Sequence, residues 1–97
     1  EQWPDTDAVV CVSDALGLGA FCEAGRRGMA LPEALAITGF GDVDDVGEAG
    51  IGLTTIRIDG HAIGIKAAEL TLAATSGAAL PVRRIDMGFT LARRASS

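Results

Sequence analysis

Histidine occurs once, at His61, so no pair of histidines is available for acid–base work, and a metal site would have to be built from carboxylates. Two cysteines, Cys11 and Cys22, stand too far apart for a C-x-x-C motif and both lie in apolar segments. They read as buried, reduced thiols, which points to a reducing compartment. The one tryptophan, Trp3, has no aromatic neighbour in sequence and is expected to cover the edge of a core rather than join a stacking platform. Basic residues are also few: 8 against 13 acidic ones leave a net charge of −5, a field that repels phosphate backbones. No apolar run nears the ~20 residues that span a bilayer. Glu1-Gln2-Trp3-Pro4-Asp5 has neither the basic nor the apolar region of a signal peptide, and the lack of an initiator Met suggests a processed or excised end.

What is present suits one small α/β domain. The 97 residues are 48% hydrophobic and 22% charged, and 13 are glycine, so turns and close backbone approaches are expected. Ala8-Val-Val-Cys-Val12 is an uncharged, β-branched run that reads as a strand covered on both faces. Ser13 or Asp14 can cap the helix read over 15–27, with Leu16/Ala20 facing the sheet, Arg26 and Arg27 in the last turn and Gly28 beyond. Leu35 to Phe40 is a second strand, giving a parallel βαβ unit. An acidic, glycine-rich loop follows over 41–52, then a strand over 53–58, a helix over 60–77 and a strand over 84–91. The second helix has two apolar faces, Ile63/Ala67/Leu70/Ala74 and Ile65/Ala68/Leu72, so it needs cover on both and the chain is expected to be incomplete as a folding unit.

Parallel sheets bind ligands beyond the carboxyl ends of their strands, and two such ends carry polar groups: Ser13-Asp14 and Asp42 after Phe40-Gly41. Ser13, Asp14 and Asp42 are the candidate partners for a polyhydroxylated small molecule. The structural alternative is a helix cap at 13–14 and a turn carboxylate at 42. Gly39-x-Gly41 is no dinucleotide fingerprint, because Asp44 stands where a third glycine is required. Asp42, Asp44, Asp45 and Glu48 fail the EF-hand pattern at Val46 and Leu53 and read as a solvated acidic loop. Arg83-Arg84 and Arg93-Arg94 read as solvated strand ends. No cofactor, metal ligand set or catalytic nucleophile is indicated.

The ordered motifs Asp7-Ala-Val-Val-Cys-Val-Ser-Asp14, Leu31-Pro-Glu33, Ala36-Ile-Thr-Gly-Phe40, Leu53-Thr-Thr-Ile56 and Phe89-x-Leu-x-x-Arg94 resemble the lactose-repressor (LacI/GalR) family of transcription regulators. Gly39-Phe-Gly-Asp42 and Asp86-Met-Gly-Phe89 look like its gluconate-repressor branch. The resemblance implies an incomplete part of a periplasmic-binding-protein-like fold, a three-layer αβα sandwich with a parallel sheet. It places about 1–57 and 88–97 in the C-terminal lobe and about 58–82 in the N-terminal lobe, without the helix-turn-helix domain that would touch operator DNA. It also implies a sugar or sugar-acid effector at Ser13. Many members have an effector-binding Asp directly after the aromatic residue, where this chain has Gly41 and then Asp42. The helix at 15–27, through Leu18, Phe21 and Cys22, is implied to carry a homodimer contact. The expected protein is a cytoplasmic, non-enzymatic repressor with no membrane partner. A periplasmic sugar-binding protein for a transporter is the alternative, disfavoured by the Leu53–Ile56 motif and the free cysteines.

Overall fold

In the computed structural model the described residues are 3–43, 52–77, 79 and 84–97. Asp44, Asp45, Glu48 and Arg83 lie outside them. The element order is β1 (Ala8–Val10), α1 (Asp14–Arg26), β2 (Ala36–Thr38), β3 (Thr55–Arg57), α2 (Gly60–Thr75) and β4 (Thr90–Ala92). The chain divides into two compact units, Glu1–Arg57 with Thr90–Ser97, and Ile58–Phe89.

In the first unit, β1 and β2 pair in parallel with Val9 opposite Ile37. The Cys11 N–H, donating to the Thr38 carbonyl at 2.8 Å, prolongs the ladder. Parallel bridges Thr38↔Thr54 and Gly41↔Arg57 bring β3 alongside β2. The closing strand departs from an all-parallel sheet: β4 runs antiparallel to β3, with Ile56 opposite Leu91. It is also shorter than the alternation over 84–91 suggests, because residues 84–89 are irregular.

Helix α1 begins at Ser13, whose extended backbone and side-chain oxygen cap it, and its last turn is closed by Arg27. Gly28 follows with φ 69°, the left-handed conformation that a helix C-terminus favours and glycine adopts at no steric cost. Glu23 accepts hydrogen bonds from Arg26 and Arg27, which hold its carboxyl down at about 2. The face of α1 that meets the core is Gly17/Ala20/Phe21/Ala24, an i, i+3, i+4, i+7 stripe. Leu16 is exposed instead of facing the sheet. The register is shifted by one because α1 crosses β2 closely at Gly17: a Cβ there would stand 3.0 Å from the Leu53 side chain and 3.5 Å from the Gly39 Cα.

Cys11, Ala24, Ile37 and Leu53 form the buried cluster, with Val9, Ala20, Phe21 and Met29 packed against it. Three expectations are corrected here. Cys22 lies on the outer side of α1 and is exposed, so only Cys11 is a buried thiol. Trp3 is exposed and does not cover the core. The first strand is covered on one face only: Val10 and Val12, on the side away from α1, are 81% and 80% exposed.

In the second unit α2 starts at Asp59, whose carboxylate accepts the Ala62 N–H at 2.9 Å. None of its residues is buried, and Ile65 and Leu72 are exposed. His61 lies exposed in its first turn. No helix among the described residues is long and apolar enough to cross a membrane.

Candidate functional site

Because β1, β2 and β3 are parallel neighbours, their carboxyl ends fall on one edge. Ser13-Asp14, Phe40 to Asp42 and Arg57 are therefore brought together from distant parts of the sequence. Ser13 is half-buried, and its Oγ accepts the Leu16 N–H at a long 3.3 Å. That leaves the hydroxyl hydrogen and a second lone pair for another partner.

Asp14 is 1% exposed and committed within the protein. Its N–H donates to the Phe40 carbonyl at 3.0 Å. Its Oδ1 accepts the Thr55 hydroxyl at 2.6 Å and its Oδ2 accepts the Val43 N–H at 2.9 Å. One side chain thus ties the start of α1 to the segment that follows β2 and to the first residue of β3. Gly39 makes room for it, since any Cβ at that position would collide with the Asp14 carboxylate.

Asp42 takes φ 54°, a left-handed backbone that Asp tolerates better than most residues. Its side chain is 4% exposed and lies between two guanidiniums. Arg57 Nε donates to Oδ2 at 2.6 Å, and Arg94 Nη2 stands 2.9 Å from Oδ1. The Arg94 pairing is ionic without hydrogen-bond alignment, so Oδ1 accepts no hydrogen bond among the described residues. Arg94 is no solvated strand end: its Nη1 donates to the Leu53 carbonyl at 2.9 Å. Burial pushes the Asp42 carboxyl up, but the hydrogen bond from Arg57 and the contact with Arg94 outweigh it and hold the pKa below the usual carboxylate value. A depressed native pKa stabilises the fold at pH values above the unfolded value of about 4. That contribution is lost as pH falls through the native value. Acid titration of the protein should therefore show a loss of stability below about pH 4 that is smaller in Asp42→Asn, measured by urea denaturation at each pH.

Of the three residues singled out by sequence, Ser13 alone keeps an accessible, partly uncommitted polar group. Asp14 and Asp42 share its edge of the sheet with their carboxylates engaged by protein donors. Thr55, Arg57 and Arg94 belong to the site and were not singled out. The available signal was period two along β3, which puts Thr55 and Arg57 on one face. Among the described residues no group of three or more His, Cys, Asp or Glu could hold a metal ion.

A model of the periplasmic binding protein-like domain matches residues 1–97. The HTH-type transcriptional regulator GntR of Pseudomonas aeruginosa is 39% identical over 94 residues, which cover 97% of this chain and 27% of that protein. This chain belongs to the periplasmic binding protein-like family, in its LacI-type branch. The structure of the LacI-type domain superposes on that of transcription regulator GntR from Chromobacterium violaceum with a TM-score of 0.86 and 39% identity, covering 97% of this chain and 35% of the other. For the transcriptional regulator CelR in complex with cellobiose the TM-score is 0.87 at 26% identity, covering 99% and 29%. The chain spans about a quarter of the length of its GntR relative. These relatives are transcription regulators, not enzymes, and the GntR branch anticipated from Gly39-Phe-Gly-Asp42 is supported.

Proposed function

We propose that this chain is the effector-sensing and dimerisation segment of a cytoplasmic LacI-type repressor that responds to a sugar or sugar acid. The observation that carries the reading is the meeting of Ser13, Asp42 and Arg57 at the carboxyl edge of three parallel strands, where sheets of this kind hold polar ligands. Residues 1–57 and 88–97 form part of the C-terminal lobe and residues 58–82 part of the N-terminal lobe. The separation of the chain at Arg57/Ile58 and Phe89/Thr90 supports that assignment. Operator DNA is bound through a helix-turn-helix domain, in keeping with the relatives' names and with the net charge of −5 on this chain. Effector shifts the population between lobe arrangements that differ in operator affinity. The relatives, being transcription regulators, favour this over a transport protein of the same fold.

Within the site Ser13 makes the direct contact with an effector hydroxyl. Asp14 and Asp42 act on the effector through the geometry they maintain, Asp14 by fixing the Ser13 turn and Asp42 by fixing Arg57. Ser13→Ala in the full-length protein removes a ligand hydrogen bond at the cost of a weakened cap. Effector affinity measured by calorimetry should fall by about 1–2 kcal/mol; an unchanged affinity would place the effector elsewhere.

Homodimerisation uses the outer side of α1. Leu18 and the exposed Cys22 lie one turn apart there, and Phe21 supports them from the core side. Leu18→Glu puts a charge into that apolar contact and should convert the full-length dimer to monomer in sedimentation at micromolar concentration. A dimer of undiminished stability would rule out this helix as the contact.

A further inference from the structure

The turn that follows β2 is held by two carboxylates. Asp14, at the start of α1, accepts the Val43 N–H at 2.9 Å and the Thr55 hydroxyl at 2.6 Å. Asp42 projects from the turn itself and meets Arg57 at 2.6 Å and Arg94 at 2.9 Å. Two carboxylates and two guanidiniums balance, so the cluster has no surplus charge with which to draw an ion, and its work is mechanical. The two arginines have matching places in the chain path. Arg57 ends β3 and is the last residue before the chain passes into the second unit, and Arg94 lies two residues beyond β4, the strand on which it returns. One carboxylate thus grips both connecting strands.

The grip is firm at each point. The left-handed backbone of Asp42 sets the direction of a side chain that is 4% exposed, and ion pairs so covered are screened little by salt. Arg94 is fixed independently: its N–H donates to Thr54 Oγ1 at 2.9 Å, its carbonyl accepts from the same hydroxyl at 3.1 Å, and its Nη1 donates to the Leu53 carbonyl at 2.9 Å. The sheet ladder alone does less. The Gly41 N–H donates to the Ile56 carbonyl at 2.8 Å, which fastens the turn to β3 and reaches β4 only across that strand. Asp42 reaches the segments of both directly, so a displacement of the turn pulls on the two together.

We infer that Asp42 is the positioning residue that carries a displacement of the turn at 41–43 into both strands connecting with the second unit, through Arg57 on one and Arg94 beyond the other. The inference rests on the proposed effector site. It concerns how binding is passed on, whatever the ligand.

Two measurements on the full-length protein test this. The first needs no ligand: hydrogen exchange should quicken in Asp42→Asn at 41–43, 55–57 and 90–92 together, while the β1 residues 8–10 keep their wild-type rates. Unchanged exchange at 55–57 and 90–92 would overturn the anchoring role. The second uses a DNA duplex that the protein selects from a randomised pool, with gluconate or glucose as probe, whichever binds in calorimetry. The ratio of duplex affinities without and with saturating probe reads transmission apart from the strength of probe binding. It should be at least about fivefold in the wild type, the lower end of ordinary allosteric coupling, and fall below about twofold in Asp42→Asn. Arg57→Gln and Arg94→Gln should each lower the ratio, and neither should lower it further when Asp42 is already Asn. Arg57→Lys, which keeps the cation, should restore part of what Arg57→Gln loses. A purely structural role would weaken the fold and leave the ratio at saturation where it was. A full ratio in Asp42→Asn overturns the inference and leaves the effector site standing. A wild type that selects no duplex, or whose duplex affinity ignores a bound probe, overturns the proposed function and the inference with it.

Discussion

Asp14→Ala is expected to lower the unfolding free energy of the full-length protein by roughly 2–3 kcal/mol, the cost of abandoning one buried partner at about 1–3 kcal/mol and a part-buried one at less. The partners are the Thr55 hydroxyl, itself buried, and the Val43 N–H. The Thr55 hydroxyl has no water at hand to replace the carboxylate, because Thr55 is 1% exposed. The change should appear as a lower midpoint in urea with an unchanged slope, since native and unfolded surfaces barely alter. A variant of near wild-type stability that had lost effector affinity would instead make Asp14 a ligand group. The structure predicts the opposite order of effects, because a carboxylate 1% exposed meets the protein before it meets a ligand.

Gly39→Ala is the second large effect. Its Cβ would collide with the Asp14 carboxylate and stand 3.2 Å from the Asp14 Cα, which belongs to backbone and cannot rotate away. Overpacking of this kind costs about 1–3 kcal/mol. Gly17→Ala is the control. The atom nearest its Cβ is a Leu53 methyl at 3.0 Å, which can give way, and the added methyl raises helix propensity by up to about 1 kcal/mol. Thermal unfolding should therefore separate the two substitutions by several degrees, with Gly39→Ala the lower. Because Gly39 and Asp14 share one contact, the losses in an Asp14→Ala/Gly39→Ala double variant should sum to less than the two singles.

Local features of the sequence were enough to place the βαβ unit and α1 from its Ser13 cap to Gly28, since strand, cap and glycine signals act over a few residues. The carboxyl edge as the candidate site followed from parallel pairing alone. What did not follow is what each carboxylate does there. Asp14 meets Thr55, 41 residues on, and Asp42 meets Arg57 and Arg94. Pairings of that separation leave no periodic trace, so a cap residue that also fastens two strands looks like a cap. The sheet-facing stripe of α1 was misplaced by one position because Leu16 is more apolar than Gly17. The close crossing at Gly39 selects the smaller residue, and bulk then points outward. Cys22 was expected to be buried on its residue type, yet it lies on the outer face of the same helix.

Hydrogen exchange on the full-length protein, with and without a bound sugar acid, tests the effector site most directly. The account predicts added protection in the segments spanning Ser13 to Leu16, Phe40 to Val43 and Thr55 to Arg57, three stretches distant in sequence that share the carboxyl edge of the sheet. Saturating ligand that leaves all three unchanged while protecting residues elsewhere would contradict it.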